Sequence, residues 1–484
     1  MYSQAIDRQL ELVVDLDGTL LRTDLLWESF CVLLGRSPLR ALSTLTALPK
    51  GKAAFKRRVS QESPIAPEHL PYRESVLHEI REARAQGRQV VLATAADELQ
   101  AIAIADSLGI FDRVLASDGI SNLSGLSKCD AIRRTASDKF EYIGNSRADL
   151  PIWRAAESAI VVNPSAGLHR TLQQEGINFR VLRDSDSLKL AAALQAMRPM
   201  QWAKNLLLFV PIIMAQHWTD WPAVISVLLT FCALCLAASG TYVLNDLTDV
   251  DSDRIHARKC RRPLASGAMS IQTGVALAIF LVAAGLAVGA FAGATATFGV
   301  ALYVAMSLGY SLVLKKKLLA DVIALAGLYV YRVLLGGAVT GVMVSHWLAV
   351  FSAFLFLSMA ISKRASELTE TQQSGQLNTR RGYRPNDVAM LASMGVSSGI
   401  GAVLVFCLYI TGETATGLYR TPAYLWLAAP ALLYWIMRVW MLAERGELRD
   451  DPIVFVCRDR VSFAIAAWIA VVLIVAKLAP AVWR

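Results

Sequence analysis

Two patterns of apolar residues divide the chain near residue 185. Before this point, short runs rich in β-branched residues alternate with stretches of helical periodicity, and the runs lie at 10–17, 88–95, 112–117, 140–146 and 158–164. Strands that alternate with helices are typical of a parallel sheet with helices on both faces. The pattern therefore predicts an N-terminal α/β domain over residues 1–185.

Residues 24–70 interrupt this alternation, because their pattern is mostly helical and contains no strand-like run. We interpret them as a small helical cap over one end of the sheet, inserted in a Rossmann-like domain. A polar joint at 183–187 then precedes the amphipathic stretch LKLAAALQAMRP. We expect this stretch to form an interfacial linker helix over 186–200 that lies on the bilayer surface.

The rest of the chain is dominated by long apolar stretches. They lie at 205–217, 222–244, 272–293, 295–312, 319–340, 346–362, 388–410, 422–442 and 461–480. Since most of them are long enough to cross a bilayer, residues 201–484 are predicted to form an all-α polytopic membrane domain of about nine transmembrane helices. The first stretch is short and contains Pro211, which leaves a count of eight open.

The charge of the connecting loops predicts the orientation in the membrane. The even-numbered loops contain 17 Lys and Arg residues, whereas the odd-numbered loops contain only Arg420. Basic loops remain on the cytoplasmic side, so we expect a multi-pass protein of the bacterial inner membrane with a cytoplasmic N-terminal domain. The acidic first twenty residues, which do not fit a signal peptide, agree with this orientation.

Composition narrows the choice of partners. The chain has 48 Lys and Arg against 39 Asp and Glu, a net charge of +9, and 55% of its residues are hydrophobic. In such an apolar chain a positive balance favours anionic lipids or phosphorylated substrates, and no nucleic-acid partner is expected. The seven cysteines have neither zinc-site nor disulfide spacing and are interpreted as packing residues.

An unusual cluster of charges follows the second apolar stretch, in NDLTDVDSDRIHARKCRRP at 245–263. A continuous helix would place four of its polar side chains within one sector of about 100°. These four are Asn245, Asp246, Asp249 and Asp253. Carboxylates held so close repel one another unless a cation lies between them, and an oxygen-rich site suits Mg²⁺.

Basic residues beside these acids suggest what the metal would bind. They are Arg254, Arg258, Lys259, Arg261 and Arg262. Because such cations bind the phosphate oxygens that a metal does not reach, the stretch predicts a site for a magnesium diphosphate. The alternative, an ordinary solvated loop with positive-inside charges, explains the basic residues but not the register of the acidic ones.

The same stretch resembles the N-D-x-x-D-x-x-x-D signature of the UbiA superfamily of intramembrane prenyltransferases, and the RRPLASG that follows resembles its continuation. The resemblance implies that a second stretch, two spans later, completes the diphosphate site with further acidic residues. The corresponding region here, 310–337, contains the single acid Asp321. The stretch therefore departs from the usual pattern of that superfamily.

Four stretches are similar to the polyprenyl-phosphate phosphoribosyltransferases of this superfamily, the decaprenyl-phosphate type. They are RPMQWAKNLLLF at 198–209, YSLVLK at 310–315 with Asp321 and Arg332 after it, SKRASEL at 362–368, and ERGELRDDPIVFVCRDR at 444–460. The resemblance implies that a polyprenyl phosphate attacks C1 of phosphoribosyl diphosphate and receives 5-phosphoribose. The substrate-binding residues then expected are Asn245, Arg254, Arg258, Lys259, Arg262, Lys204, Tyr310, Lys315, Asp321, Arg332, Lys363 and Arg364.

Arg332 lies well inside the fifth long apolar stretch, where an unpaired guanidinium is costly. We expect it to face a cavity and to pair with Asp321 or a bound phosphate, with snorkelling or a structural ion pair as the alternative. Positive-inside anchoring accounts equally well for Lys204, Lys363 and Arg364.

The N-terminal stretch VVDLDGTLL at 13–21 resembles the D-x-D-G-T signature of the haloacid dehalogenase superfamily. The resemblance implies that Asp15 is a nucleophile, Asp17 a general acid and base, Thr94 a phosphate-binding residue and Lys128 an orienting cation. Asp15 and Asp17, with Asn145 and Asp149, would hold Mg²⁺. Asn145 of GNSRAD stands where that superfamily usually has a carboxylate, so we expect weaker metal binding and leave open an inactive, regulatory domain.

Together these features predict a transferase whose product is dephosphorylated by its own N-terminal domain. The lipid product would be polyprenyl-phosphoryl-ribose, a pentose donor for cell-envelope glycans. One alternative is a prenyltransferase that moves an isoprenoid from its diphosphate to an aromatic or other small acceptor. Another is a transporter or lipid-binding protein with a regulatory domain, although transporters usually place their polar sites near the bilayer midplane. The sequence leaves homo-oligomer formation open.

Overall fold

The computed structural model describes residues 10–135, 139–184, 189–374, 382–448 and 451–479. Contacts separate the chain into two units, Met1–Met197 with Tyr242–Ala278, and Arg198–Thr241 with Ile279–Arg484. The segment 242–278, which contains the acidic stretch, therefore packs with the N-terminal residues. A division by hydropathy at residue 201 did not indicate this.

The first unit is built on six parallel strands. They are β1 (Glu11–Val14), β2 (Val90–Asp97), β3 (Arg113–Ser117), β4 (Phe140–Gly144), β5 (Ser158–Val162) and β6 (Phe179–Leu182). Their order in the sheet is β3-β2-β1-β4-β5-β6. The strands that follow β1 are added on one side of it up to β3, and β4 to β6 are added on its other side. In sheets of this kind, ligands bind at the carboxyl ends of the two strands where the order switches, here β1 and β4. The α/β prediction is confirmed, although β6 was not predicted.

Both faces of this sheet are buried. Leu12 and Val14 of β1 belong to one hydrophobic core, whereas Val13 between them belongs to the other. Because helices cover both faces, every residue of β1 is buried and the strand is continuously apolar rather than alternating.

Among the described residues, nine α-helices accompany the sheet or lie next to it in sequence. They are α1 (Leu25–Arg36), α2 (Pro38–Thr44), α3 (Lys52–Glu62), α4 (Glu74–Ala85), α5 (Glu98–Leu108), α6 (Leu126–Thr135), α7 (Leu150–Trp153), α8 (Ala166–Gln174) and α9 (Lys189–Met197). The helices α1 to α3 form the predicted helical insertion between β1 and β2. The linker prediction at 186–200 coincides with α9, while residues 185–188 lie outside the described residues and the bilayer location stays a prediction.

Twelve further helices follow. They are α10 (Val210–Met214), α11 (Trp221–Thr248), α12 (Val250–Ile255), α13 (Ile271–Ala292), α14 (Ala294–Leu312), α15 (Ala320–Thr340), α16 (His346–Ser374), α17 (Val388–Thr411), α18 (Glu413–Leu418), α19 (Ala428–Glu444), α20 (Pro452–Val456) and α21 (Arg460–Leu478). In the part of the chain that the structure describes, eight helices are long and apolar enough to cross a membrane. These eight are α11, α13, α14, α15, α16, α17, α19 and α21.

The stretch at 205–217 is not one of these eight, which agrees with the count of eight that its shortness and Pro211 left open. The chain there forms a 3₁₀ helix, Pro199–Phe209, followed by the short α10, which has Pro211 in its first turn. The 3₁₀ segment packs closely against α15, because a Cβ on Gly336 would lie 2.1 Å from the Leu208 carbonyl oxygen. Glycine permits this close approach between backbones.

The segment 242–278 belongs to the first unit through a hydrophobic cluster. Val243 and Leu247 of α11 and Leu264 pack with Cys31 and Val32 of α1. A Cβ on Gly35 would lie 2.4 Å from the carbonyl oxygen of Thr248, so α1 and the end of α11 are in intimate contact.

Candidate functional site

Asp15 follows β1 directly, and an ion-pair network surrounds it at the carboxyl ends of the strands. Its Oδ1 accepts a hydrogen bond of 2.8 Å from Lys128 Nζ, and its Oδ2 accepts one of 2.9 Å from the Thr19 hydroxyl. Lys128 is only 4% exposed and also lies 3.4 Å from Asp149 Oδ1. Burial raises the pKa of Asp15, although the charge of Lys128 opposes this effect.

Asp17 lies in the same turn and accepts a hydrogen bond of 3.0 Å from the Leu25 amide. Burial, followed by the nearby charge of Asp24, raises the pKa of Asp17 to about 8. A carboxyl group that holds its proton near neutral pH is suited to donate that proton to a leaving group. The placement of Asp17 is therefore compatible with the acid role that the resemblance implies.

Gly18 permits the close approach between this turn and the turn after β4. Its φ is +74°, and a Cβ at this position would lie 2.3 Å from Asn145 Nδ2. Both the left-handed backbone and the contact exclude larger residues. The amide of Asn145 is thereby held beside the two aspartates.

Asp149 is positioned by five hydrogen-bond donors. Its Oδ1 accepts from Tyr142 Oη at 2.8 Å and from Lys128 Nζ at 3.4 Å. Its Oδ2 accepts from the Ser146 backbone N–H at 3.0 Å, the Ser146 hydroxyl at 3.1 Å and the Asn145 backbone N–H at 3.3 Å. These bonds fix the turn that carries Asn145. Asp149 itself is 2% exposed.

These side chains open into a cavity of about 480 Å³. Its wall includes Asp15, Asp17, Lys128, Asn145 and Asp149. Thr94 is fully buried and its hydroxyl accepts from the Ala96 amide at 3.0 Å, so the wall at β2 is formed instead by Ala95, Ala96 and Asp97. The predicted phosphate contact of Thr94 stays a prediction.

The donor set of this cavity fits Mg²⁺, which prefers carboxylate and amide oxygens and retains several waters. Among residues 10–135, 139–184 and the other described ranges, no three His, Cys, Asp or Glu side chains converge to form a metal site by themselves. Asn145 supplies an amide oxygen rather than a carboxylate, and water and substrate oxygens would complete the coordination.

The acidic stretch of the membrane part does not form one continuous helix. The helix α11 ends at Thr248 and α12 begins at Val250, because Asp249 has φ −108° and ψ 7°. The side chain of Arg262 lies 3.0 Å from Asp246 Oδ1 and 2.5 Å from Asp253 Oδ2. The assumption of a single helix was therefore wrong, and a guanidinium joins two of the three carboxylates.

Both of these carboxylates are buried, with 3% of each residue exposed. Burial raises the pKa of Asp253 to about 6, and the charge of Arg262 limits the rise. The carboxylate oxygens of Asp246 and Asp253 fit the donor chemistry expected of a Mg²⁺ site.

Arg254, predicted to bind phosphate, is engaged within the protein. Its guanidinium forms a bidentate ion pair with Glu28 of α1, with an NH2–Oε2 distance of 2.8 Å, and its Nε donates to the Ala265 carbonyl at 3.0 Å. Asp251 pairs with Arg36 at 2.8 Å. Among the other predicted phosphate ligands, Arg258 is exposed, whereas Asn245 and Lys259 are half-buried.

The second unit contains a buried cluster centred on Asp451. Lys204 and Lys363 both donate to its Oδ2, at 2.8 and 2.9 Å, and Tyr329 Oη donates to its Oδ1 at 2.8 Å. Burial opposes ionisation of Asp451, but the two lysine charges outweigh burial and hold its pKa well below the usual range. Two ammonium groups thus share one carboxylate.

A second cluster in this unit joins Tyr310, Asp321 and Arg364. Arg364 forms a bidentate ion pair with Asp321 and donates to Tyr310 Oη at 3.0 Å, while Tyr310 Oη donates to Asp321 at 2.9 Å. Glu367, one turn further along α16, accepts from Arg364 at 2.5 Å. Asp321 is thus paired with Arg364 within the unit, whereas the basic residue expected to pair with it was Arg332.

Arg332 is buried, as its position required, but Asp321 is not its partner. Its Nε donates to Asn205 at 2.9 Å, and its other nitrogens donate to the Leu328 carbonyl at 2.5 Å and to Tyr303 Oη at 3.2 Å. The guanidinium also lies 4.9 Å from the centre of the Tyr303 ring. Neutral acceptors and an aromatic ring therefore surround the Arg332 guanidinium, whereas Asp321 pairs with Arg364. Lys315 is buried as well.

Sequence reasoning missed Asp451, Tyr329 and Glu28. Asp451 lies in a stretch that was noted for its resemblance, yet nothing local distinguishes it from the other acids there. Its partners lie 247 and 88 residues away. Glu28 is 226 residues from Arg254. Its one sequence signal is that Glu28 is the sole charged residue in the first half of α1.

Family models match both parts of the chain. Residues 206–465 match the UbiA prenyltransferase family, and residues 12–154 match the haloacid dehalogenase-like hydrolases. The uncharacterized protein y4nM of Sinorhizobium fredii is 35% identical over 96% of this chain and 90% of its own length. A decaprenyl-phosphate phosphoribosyltransferase of Mycobacterium tuberculosis is 28% identical over 58% of this chain and 93% of its own length.

A solved structure of a UbiA homolog from Archaeoglobus fulgidus bound to GPP and Mg²⁺ covers 58% of this chain and 99% of its own length. Its sequence is 19% identical and its TM-score is 0.42. Both matching families are in general Mg²⁺-dependent. The chain is a multi-pass membrane protein, homologous to decaprenyl-phosphate phosphoribosyltransferases. It belongs to the UbiA prenyltransferase family and carries a haloacid dehalogenase-like domain at its N-terminus.

Proposed function

We propose that this protein transfers 5-phosphoribose from phosphoribosyl diphosphate to a polyprenyl phosphate at the cytoplasmic face of the bacterial inner membrane. The N-terminal domain then removes the 5-phosphate and leaves polyprenyl-phosphoryl-ribose for cell-envelope glycan synthesis. The proposal is supported by the similarity to the decaprenyl-phosphate phosphoribosyltransferase of Mycobacterium tuberculosis, 93% of whose length this chain matches. It is also supported by the charge of the buried membrane clusters.

The cluster at Asp451 carries the argument for a phosphate nucleophile. Lys204, Lys363 and Asp451 together hold one more positive than negative charge, and Lys204 is only 6% exposed. An excess cation in such surroundings is stabilised by an anion. A lipid phosphate supplies that anion and carries its charge on the nucleophilic group itself, whereas the reacting part of an aromatic acceptor such as hydroxybenzoate is uncharged.

The chemistry of transfer requires little proton movement. A phosphate oxygen of the lipid attacks C1 of the ribose, the bond from C1 to the diphosphate oxygen breaks, and the diphosphate leaves with the electron pair. The nucleophile is already ionised, so no strong base is needed, and catalysis consists of neutralising charge and holding the reactants in line. Mg²⁺ held by Asp246, Asp249 and Asp253 would supply part of this neutralisation.

The N-terminal domain would act by covalent catalysis. A carboxylate oxygen of Asp15 attacks phosphorus, the ester P–O bond breaks, and Asp17 gives its proton to the departing alkoxide. Water then attacks the aspartyl phosphate, Asp17 takes a proton from that water, and inorganic phosphate leaves. Lys128 reduces the repulsion between carboxylate and phosphate, and Mg²⁺ held by Asp15, Asp17, Asn145 and Asp149 would add to this effect.

A labelled-substrate assay tests the proposal. The full-length protein in liposomes with Mg²⁺ receives either ribose-labelled phosphoribosyl diphosphate with polyprenyl phosphate, or labelled prenyl diphosphate with an aromatic acceptor such as hydroxybenzoate. We expect label in the lipid fraction only in the first reaction, and loss of the 5-phosphate from that product. Transfer in the second reaction alone would establish the prenyltransferase alternative.

The chain offers a matched pair of controls for this assay. Asp249→Asn removes a carboxylate of the proposed metal site and should lower transfer by at least about 100-fold, a loss typical of an essential charge-stabilising group. Asp251→Asn removes a carboxylate two residues away that pairs with Arg36 at a partly exposed position, and should keep most of the activity. Equal activity of both variants and the wild type would contradict the proposal.

A further inference from the structure

The wall of the N-terminal cavity includes two residues that lie far from the N-terminal domain in sequence. Ser270 and Gln272 line it together with Asp15, Asp17 and Lys128. Ser270 directly precedes the long apolar helix α13, and Gln272 lies in its first turn. Both residues belong to the same unit as residues 1–197. The cavity around the D-x-D-G-T motif is therefore incomplete without the segment that connects α11 and α13.

Gln272 is tied to the turn that follows the catalytic motif. Its Nε2 donates to Asp24 Oδ2 at 3.0 Å, while Asp24 Oδ1 accepts from the Trp27 amide at 3.1 Å and so caps α1. Ser270 accepts from the Thr273 amide at 3.2 Å, which orders the start of α13. The side chain of Gln272 is exposed and lies at the rim of the cavity.

Two further contacts hold the loop at this cavity. The ion pair of Arg254 with Glu28 is nearly buried, with 6% and 4% of the two side chains exposed, and the Thr23 hydroxyl donates to Glu28 Oε2 at 2.8 Å. A Cβ on Gly267, whose φ is +74°, would lie 2.7 Å from Cβ of Arg22. Thr23 and Arg22 both line the cavity, so the loop packs directly behind its wall.

We propose that the loop 254–272 forms part of the substrate-binding wall of the phosphatase cavity, and that Gln272 determines specificity by contacting the alcohol part of the phosphate ester. The inference rests on the proposed phosphatase function, which it deepens. The rim contributes an amide, a hydroxyl and the Asp24 carboxylate, all hydrogen-bonding groups. The substrate class is therefore a phosphate monoester of a hydroxyl-rich alcohol such as a pentose.

The physical basis of this selectivity is hydrogen bonding at the rim. A sugar hydroxyl can pair with the amide of Gln272, whereas an apolar alcohol would cover polar groups without pairing them. In the proposed reaction the scissile phosphoryl group lies at Asp15, and the alcohol part of the ester extends toward the rim. Removing the amide should therefore affect recognition of the sugar and leave recognition of the phosphate unchanged.

The test uses the full-length protein in detergent with Mg²⁺ and compares ribose 5-phosphate with p-nitrophenyl phosphate, which has no hydroxyl groups. Gln272→Met keeps the length of the side chain without its amide, and should lower kcat/KM for ribose 5-phosphate roughly tenfold, about the loss of one good hydrogen bond. The value for p-nitrophenyl phosphate should stay within about twofold. Gln174→Ala, at an exposed position of α8 in the same unit, is the control and should change neither.

Calorimetric titration with ribose 5-phosphate and with inorganic phosphate separates the inference from the function on which it rests. If the wild type hydrolysed neither ester, the phosphatase function would be overturned. The titration would still decide whether Gln272 contacts the sugar. Weaker binding of ribose 5-phosphate alone by Gln272→Met supports that role. Equal effects on both ligands, or on neither, would overturn it.

Discussion

At the scale of single residues, we expect Asn145 to weaken Mg²⁺ binding at the N-terminal cavity. It places an amide beside Asp15 and Asp17, so the cavity has one negative charge fewer for a divalent cation than an aspartate there would give. Asn145→Asp should therefore lower the Mg²⁺ concentration for half-maximal phosphatase activity by about tenfold, the effect of roughly 1.4 kcal/mol of added attraction. A Mg²⁺ titration of phosphate release measures this.

The matched control adds the same charge elsewhere in the domain. Asn178→Asp, at an exposed position before β6, should leave the Mg²⁺ dependence unchanged. An unchanged Mg²⁺ requirement in Asn145→Asp would show that this side chain takes no part in binding the metal. The prediction thus also tests whether Asn145 belongs to the site at all.

The residues that could be predicted from the sequence are those within short motifs. Asp15, Asp17 and Lys128 lie at one cavity because signature spacing and strand ends determine where they meet. The partners of Arg254 and Lys204 could not be predicted, since ion pairs across more than 200 residues leave no local pattern. Arg332 shows the intermediate case, because its burial followed from hydropathy while its neutral partners did not.

At the scale of secondary-structure elements, the helix break at Asp249 changes which side chains of the acidic stretch lie together. A straight helix would bring three carboxylates together, whereas the break lets Arg262 join Asp246 and Asp253. Arg262→Gln should leave these two buried carboxylates without their shared cation and reduce the free energy of unfolding by about 2 kcal/mol. This is less than the 3–5 typical of a fully buried pair, because 26% of the Arg262 side chain is exposed.

Thermal unfolding of the detergent-solubilised protein measures this effect. Arg261→Gln changes the neighbouring, exposed arginine and should shift the unfolding temperature little. A similar loss in both variants would indicate a general effect of positive charge in this loop. The comparison therefore isolates the ion pairs of Arg262.

At the scale of the whole molecule, the two units do not coincide with the two regions of different hydropathy. Hydropathy separates the chain near residue 201, and it predicted eight of the membrane helices because each is a long apolar run. Contacts instead assign Tyr242–Ala278 to the unit of the N-terminal domain. Composition could not reveal this, since the cluster of Val243, Leu247 and Cys31 is ordinary apolar packing.

The proposed joining of a transferase and a phosphatase in one chain predicts a kinetic advantage for the second reaction. A product formed by a tethered transferase meets the phosphatase at an effective concentration that can reach the millimolar range, far above that of separate molecules. In liposomes at low protein density, the wild type should therefore release phosphate without a lag. A mixture of Asp15→Asn, which lacks the phosphatase nucleophile, with Asp249→Asn, which lacks transfer, should first accumulate the phosphorylated lipid.

The time courses of labelled lipid and of inorganic phosphate distinguish these cases, and raising the protein density should shorten the lag of the mixture alone. Asp15→Asn by itself should stop at the phosphorylated lipid, which confirms that transfer is intact in that variant. Identical time courses for the mixture and the wild type at every density would show that the product leaves before it is dephosphorylated. The covalent joining of the two domains would then provide no kinetic advantage.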